Sequence, residues 1–191
     1  MNRRAFVSVL SAGVPGVLLA NRLPASDAAA HEPVQPFRLG SEEDRDNRPQ
    51  VLFEGDTFYT KVSGRDTAGS LYLFESTRLK RGGPAEHVHP HQDEWWYILS
   101  GQYIVQIGDT RYDLGPGDSV FGPRGVPHVW AKTSEGLGRL IIGFTPAGGM
   151  EALFRAISDG KLAAMSPDEQ ERFRREHGVV RVGPALIHHK Q

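Results

Sequence analysis

The stretch His87-Val88-His89-Pro90-His91-Gln92-Asp93-Glu94-Trp95-Trp96-Tyr97-Ile98-Leu99-Ser100-Gly101 decides how the rest of the chain is read. A second stretch, Gly117-Asp118-Ser119-Val120-Phe121-Gly122-Pro123-Arg124-Gly125-Val126-Pro127-His128, completes it. In a strand, residues i and i+2 point to one face, so His87 and His89 aim their rings at a common point. Pro90 disfavours a continuous strand past His89, and the chain is expected to turn through His91-Gln92-Asp93. Glu94 then opens a strand that can run back beside the first. If Glu94 faces inward, so do Trp96 and Ile98. His128 sits in the run Val126–Lys132, with Val126 and Trp130 as inward companions. Three imidazoles and a carboxylate are first-row transition-metal ligands, so His87, His89, Glu94 and His128 are the candidate metal site. Trp96, Ile98, Trp130, Phe121, Tyr72 and Phe74 are candidate pocket walls, although core packing is the better default.

Working outward, the sequence from Val51 reads as short strands. They are Thr57–Val62, Ser70–Glu75, Glu94–Leu99, Gln102–Ile107, Ser119–Phe121, Val126–Lys132 and Gly138–Thr145. Turn signals separate them: Ser100-Gly101, Gly108-Asp109, Gly115-Pro116-Gly117-Asp118, Gly122-Pro123 and Glu135-Gly136. Strands at this spacing indicate an all-β sandwich or barrel. After residue 146 the period changes. Met150, Leu153, Phe154 and Ile157 mark an amphipathic helix. Ser166-Pro167-Asp168-Glu169 is a capping box with proline at the first helical position, and Gly178 is its natural stop. The charged helix between them belongs on the surface. Val179–Val182 reads as a short terminal strand. The expected organisation is therefore a leader (1–30), an arm or linker (31–50), a β-barrel (51–146) and a C-terminal extension of helices and one strand (147–191).

The leader has paired arginines, Arg3 and Arg4, then an interrupted apolar run from Ala5 to Ala20 and a small-residue cleavage site at Ala28–Ala30. The run is too short and too broken for a transmembrane span, which takes about 20 apolar residues. The stretch Asn2–Val7 resembles a twin-arginine export signal, with an ordinary secretory signal or a frayed helix as the other readings. The expected location is the periplasm or the exterior.

A formal net charge of −1, with no basic run, argues against nucleic-acid or anionic-membrane partners. A hydrophobic content of 39% is enough for a core. The chain has no cysteine, which removes disulfides, thiolate ligands and a cysteine nucleophile. The expected partner is a small molecule. Outward-facing Trp95 would suit a homodimer.

The two quoted stretches resemble the two motifs of the cupin superfamily. His87-x-His89-x4-Glu94-x6-Gly101 fits the first, except that its leading glycine is displaced by one, with Arg81 in its place and Gly82 following. Gly117, Pro123, Gly125 and His128 fit the second, while Lys132 stands where the motif ends in asparagine, which predicts a weakened turn contact. His91 falls outside the family spacing to Glu94 and is read as a surface residue or a neighbour of the site. The resemblance covers about residues 48–146, and the tail is similar to single-domain cupins related to quercetin dioxygenase.

The resemblance implies a jelly-roll barrel (a double-stranded β-helix) with a C-terminal helical extension and a site of three histidines and one glutamate. It implies one divalent ion. Nitrogen and oxygen ligands suit Fe, Mn, Ni, Zn or Cu. Fe(II) is favoured, because a protein exported folded acquires its metal in the cytoplasm, away from competing Cu and Zn. The implied activity is a quercetinase-like dioxygenase acting on a small enol, phenol or flavonol-like compound. Glu94 is its expected catalytic base. The alternatives are a metal- or metabolite-binding cupin without turnover and a metal-dependent isomerase or lyase on the same barrel.

Overall fold

Alternating burial builds the barrel. The computed structural model describes residues 34–52 and 56–186. The leader expected at 1–30 lies outside the described residues. Among the described residues, eleven strands run β1 (Gln50–Val51), β2 (Thr57–Val62), β3 (Tyr72–Arg78), β4 (Ala85–Val88), β5 (Asp93–Ser100), β6 (Tyr103–Ile107), β7 (Thr110–Leu114), β8 (Ser119–Gly122), β9 (His128–Lys132), β10 (Gly138–Thr145) and β11 (Val180–Ala185). Two helices, α1 (Met150–Ser158) and α2 (Pro167–Glu176), lie between β10 and β11. The strands form two antiparallel sheets, one in the order β1-β2-β3-β10-β5-β8 and one in the order β11-β4-β9-β6-β7. This is an all-β fold of two antiparallel sheets, as expected of a jelly roll, with C-terminal helices.

In β5 the side chains of Glu94, Trp96 and Ile98 are buried, whereas Trp95 and Tyr97 take the opposite face and stack at 5.9 Å. That matches the expected parity. The expected pairing of β4 with β5, the two strands of the first quoted stretch, does not occur. β4 pairs with β9 and β11, and β5 pairs with β10 and β8, so they belong to opposite sheets. Pro90 and the turn after it carry the chain across the barrel rather than back alongside β4. His87 and Glu94 therefore approach each other through the interior.

The core beside the site is aromatic. Phe58 stacks on Phe74 at 4.2 Å, and Phe154 of α1 meets Phe58 edge-on at 5.0 Å. Of the expected stripe of α1, Met150 and Leu153 are buried and Phe154 and Ile157 are partly buried against the core, while Ala156 is buried as well. Burying side chains of this size contributes about 1.5–3 kcal/mol each, so α1 is an integral wall of the barrel interior. α2 has no buried residue and begins with the expected cap, in which Glu169 accepts from the Ser166 backbone N–H at 2.9 Å.

The described part of the arm is not a free linker. Asp44 is buried and accepts hydrogen bonds from the backbone N–H groups of Thr60, Asp46 and Arg48. Arg45 pairs with Asp66, and Lys61 donates to the carbonyls of Gly40 and Glu43. Asp44 thus ties the arm to β2, and Arg45 ties it to the turn that follows. Among the described residues, no helix is long and apolar enough to cross a membrane.

Candidate metal centre

His87 in β4 and His128 in β9 are direct cross-strand partners, which sets their rings side by side at 4.6 Å. His89 follows the end of β4. Glu94 enters from the facing sheet, one residue into β5. The four side chains form one cluster whose ligand atoms all lie within 4.8 Å of one another. That is close to the span of about 4.2 Å expected across an ion with bonds of about 2.1 Å. All four residues are buried.

The hydrogen bonds around the rings fix their orientation. Nδ1 of His87 donates to the Ala85 carbonyl at 2.8 Å, Nδ1 of His89 to the Gly178 carbonyl at 2.8 Å, and Nδ1 of His128 to the Val126 carbonyl at 3.0 Å. A carbonyl can only accept, so each Nδ1 carries the proton and each neutral ring turns its Nε2 lone pair inward. Those Nε2 atoms face the Glu94 carboxylate. Its Oε2 is 2.9 Å from His128, 3.1 Å from His89 and 3.9 Å from His87. Buried His89 Nε2 has no hydrogen-bond partner. Three lone pairs directed at a carboxylate repel one another. A proton on one imidazole relieves one contact, whereas a divalent cation at the centre satisfies all four groups. The residues present thus fit a metal ion, each histidine being oriented by a backbone carbonyl as metal-ligating histidines usually are.

The electrostatics agree with this reading. Burial drives the His87 imidazole down to about 4, outweighing the pull of Glu94, so it is neutral over the ordinary pH range. Burial acts to raise Glu94, but the adjoining His128 and His89 imidazoles, acting as positive neighbours where a cation would otherwise stand, prevail and hold it well below the usual carboxylate range. His128 is raised despite burial, through its contact with Glu94. Next to the site, the Arg124 guanidinium pairs with Asp93 at 2.7 and 3.0 Å and holds that carboxyl down to about 2. Arg124 is half exposed and joins the second motif to the start of β5.

A cavity of about 390 Å³ opens on the cluster. His87 and Glu94 line it, while His89 and His128 lie behind. Most of its wall is apolar. Of the expected pocket residues, Trp130 lines the cavity. Trp96, Ile98 and Tyr72 are fully buried in the core and do not line it, although Trp96 packs edge-on to His128 at 5.3 Å. Phe121 is corrected outright. It is 55% exposed, because β8 turns Val120 and Gly122 inward and Phe121 outward. His91 is exposed, as expected of a residue outside the ligand set.

The sequence reading missed several cavity residues. Phe58 and Phe154 were visible only as strand or helix residues, and their periodicity could have marked them as inward-facing, whereas Phe74, a candidate wall, does line the cavity. The buried Asp56–Arg78 ion pair, and Arg174 and Arg181, carried no signal of their own. Lys132 also departs from expectation. Fully buried, it donates to the carbonyls of Ser134 at 2.6 Å and Leu79 at 3.2 Å, so the turn contact is made by a longer side chain.

Residues 76–143, from β3 to β10, match the family model described as "Cupin domain" (Cupin_2). Among curated proteins, the chain is 29% identical over 82 residues to Protein SchB of Streptomyces halstedii, covering 42% of this chain and 59% of that protein. It is also 29% identical over 100 residues to an oxidoreductase of Arthrobotrys oligospora, covering 46% of this chain and 39% of that protein. The chain thus spans about half the length of these relatives. Among solved structures, an RmlC-like cupin from Shewanella frigidimarina aligns with a TM-score of 0.46 at 21% identity, over 60% of this chain and 93% of that one.

Proposed function

We propose that this cupin barrel is a metal-dependent oxidoreductase, a dioxygenase that oxidises a small enol, phenol or flavonol-like compound in the manner of quercetinases. One observation carries the reading. Of the four candidate ligands, His87 and Glu94 are the two that face an apolar cavity large enough for a small aromatic molecule. A position left open on the ion would therefore face bound substrate and not bulk water. One of the matched relatives is named an oxidoreductase, which is consistent with this chemistry.

His87, His89, Glu94 and His128 would hold the ion, with Fe(II) favoured and Mn, Ni, Zn or Cu as alternatives. When bound, the ion supplies Lewis acidity toward a substrate oxygen and, if redox-active, a route for electrons to O2. The protein does the rest. Phe58, Phe74, Phe154 and Trp130 exclude water and orient an aromatic ring. Glu94 is the base for the substrate hydroxyl proton. Held among imidazoles it is ionised but weakly basic, so displacement from His128 and His89 toward the cavity raises its basicity as it takes the proton. On this reading the leader-like first thirty residues would send a folded, loaded protein to the periplasm.

The test is oxygen uptake by the Fe(II)-loaded chain with a panel of flavonols, enediols and catechols. Uptake with at least one of them, abolished in Glu94→Gln that still retains metal, is the expected result. Substrate conversion without oxygen uptake would replace the dioxygenase with an isomerase or lyase. Stoichiometric metal with no conversion of any kind would leave a binding protein.

A further inference from the structure

Arg174 of α2 and Arg181 of β11 line the same cavity as His87 and Glu94, although both belong to the C-terminal extension. One carboxylate serves both. Glu171 Oε1 accepts from Arg174 at 2.9 Å and also pairs with Arg181. The remaining side-chain contact of Arg174 is with the neutral Gln170 amide oxygen at 3.3 Å. Two guanidiniums against one carboxylate leave a positive charge over. The Arg174 side chain is only 11% exposed, whereas Arg181 is 47% exposed and faces the outside of the pair. Burial and the neighbouring Arg181 charge both press the Arg174 guanidinium down from its ordinary value, a sign that the pair is short of negative charge. The cavity's other cation, Arg78, has Asp56 beside it.

A surplus cation held against an apolar wall is costly unless an anion completes it. The guanidinium fork suits a planar carboxylate, which it can bind through two parallel hydrogen bonds. We propose that Arg174 and Arg181 bind a carboxylate on the substrate, which makes the substrate an aromatic or unsaturated hydroxy acid. The hydroxyl end faces His87 and Glu94, the ring lies against Phe58, Phe74 and Trp130, and the acid end meets the arginines. The hydroxyl assignment rests on the function proposed above; the acid assignment rests on the two arginines alone.

The experiment measures ligand binding to the full metal-treated chain by quenching of tryptophan fluorescence, since Trp130 lines the cavity. The probes are hydroxycinnamic and hydroxybenzoic acids, each beside its methyl ester. The acids are expected to bind about tenfold more tightly than the esters, the size of one charge-assisted contact. Arg181→Gln, at a half-exposed position, should reduce that preference, and Arg174→Gln with Arg181→Gln should erase it while ester binding stays. Glu171→Gln, which frees both guanidiniums, should increase it. Equal binding of acid and ester, saturable binding by no acid, or a preference that survives the double variant would overturn the proposal and leave the arginines as a structural link between α2 and β11. Metal content is measured on the same samples. An acid preference in protein that retains no metal would overturn the metalloenzyme reading while this one stands. Retained metal with no acid preference would do the reverse.

Discussion

Nδ1 of His89 lies 2.8 Å from the carbonyl oxygen of Gly178, a residue eighty-nine positions later and beyond both C-terminal helices. That contact orients a metal-site imidazole from outside the barrel. Gly178 holds its place with φ +88, a left-handed conformation, against the buried Gln92 side chain. A Cβ at this position would come within 2.3 Å of Gln92 Oε1. Gly178→Ala is therefore expected to cost about 1–3 kcal/mol of stability from backbone strain and crowding. It should also weaken metal affinity by about 10–100-fold through the lost orientation of His89. Gly160→Ala is the control, because Gly160 has φ +73 but nothing within reach of an added Cβ. Strain alone should lower stability in the control and leave metal affinity intact. Denaturation curves and competitive metal titration of both variants check this.

Metal binding and stability should be linked in the native chain. An ion that binds only the folded state at about 100 times its dissociation constant adds about 2.7 kcal/mol. Removing the ion with a chelator should lower the melting temperature, and adding it back should restore it. His128→Ala removes a ligand and the cross-strand partner of His87, and should abolish this response. A His128→Ala protein stabilised by the same ion as strongly as the native chain would contradict the ligand set.

Asp93 and Arg124 predict an acid limb. The Asp93 carboxyl is held down to about 2, against an ordinary value of about 3.9. A carboxyl depressed on folding stabilises the native state above the ordinary value. That stability is lost as pH falls toward the folded value, because the unfolded chain takes up its proton first. Arg124→Gln should then be less stable than the native chain at neutral pH. The gap between them should shrink as pH falls from about 4 to about 2. Urea denaturation of both proteins across that range decides it, and a gap that stays constant would show that the pair contributes no charge-dependent stability.

Lys132 predicts the cost of placing the asparagine of the resembled motif at this position. Its ammonium reaches two carbonyls from a fully buried position. Lys132→Asn is too short to serve both. The variant should lose about 2–5 kcal/mol, from an unpaired buried carbonyl and the space left by the aliphatic stem. Equilibrium unfolding measures it. A variant as stable as the native chain would mean that water replaces the ammonium at no cost.

Much of this protein was legible in the chain itself. The seven strands read from alternation all exist, two of them, Thr57–Val62 and Gly138–Thr145, with unchanged ends. β1 and β7 were not read, because two residues are too few for a pattern and Thr110–Leu114 is exposed at all but its last position. The helix cap at Ser166, the stop at Gly178 and the parity of Glu94, Trp96 and Ile98 follow from local rules. So do the identities of His87, His89, Glu94 and His128 as a set, because ligand chemistry and spacing are properties of the sequence.

What local rules could not supply was which sheet each strand joins. Pairing is a contest among all strands, and it placed β4 and β5 on opposite sides of the interior. For that reason Glu94 meets the histidines across the barrel, Phe121 points outward, and Phe58, Phe74 and Phe154 form the cavity. The carbonyl that orients His89, and the arginines that share Glu171, come from the C-terminal extension. They reach the site only because α1, α2 and β11 pack back on the barrel. The candidate ligands are written in two short motifs. The cavity they face, and the charge at its edge, exist only once the tertiary structure brings distant segments together.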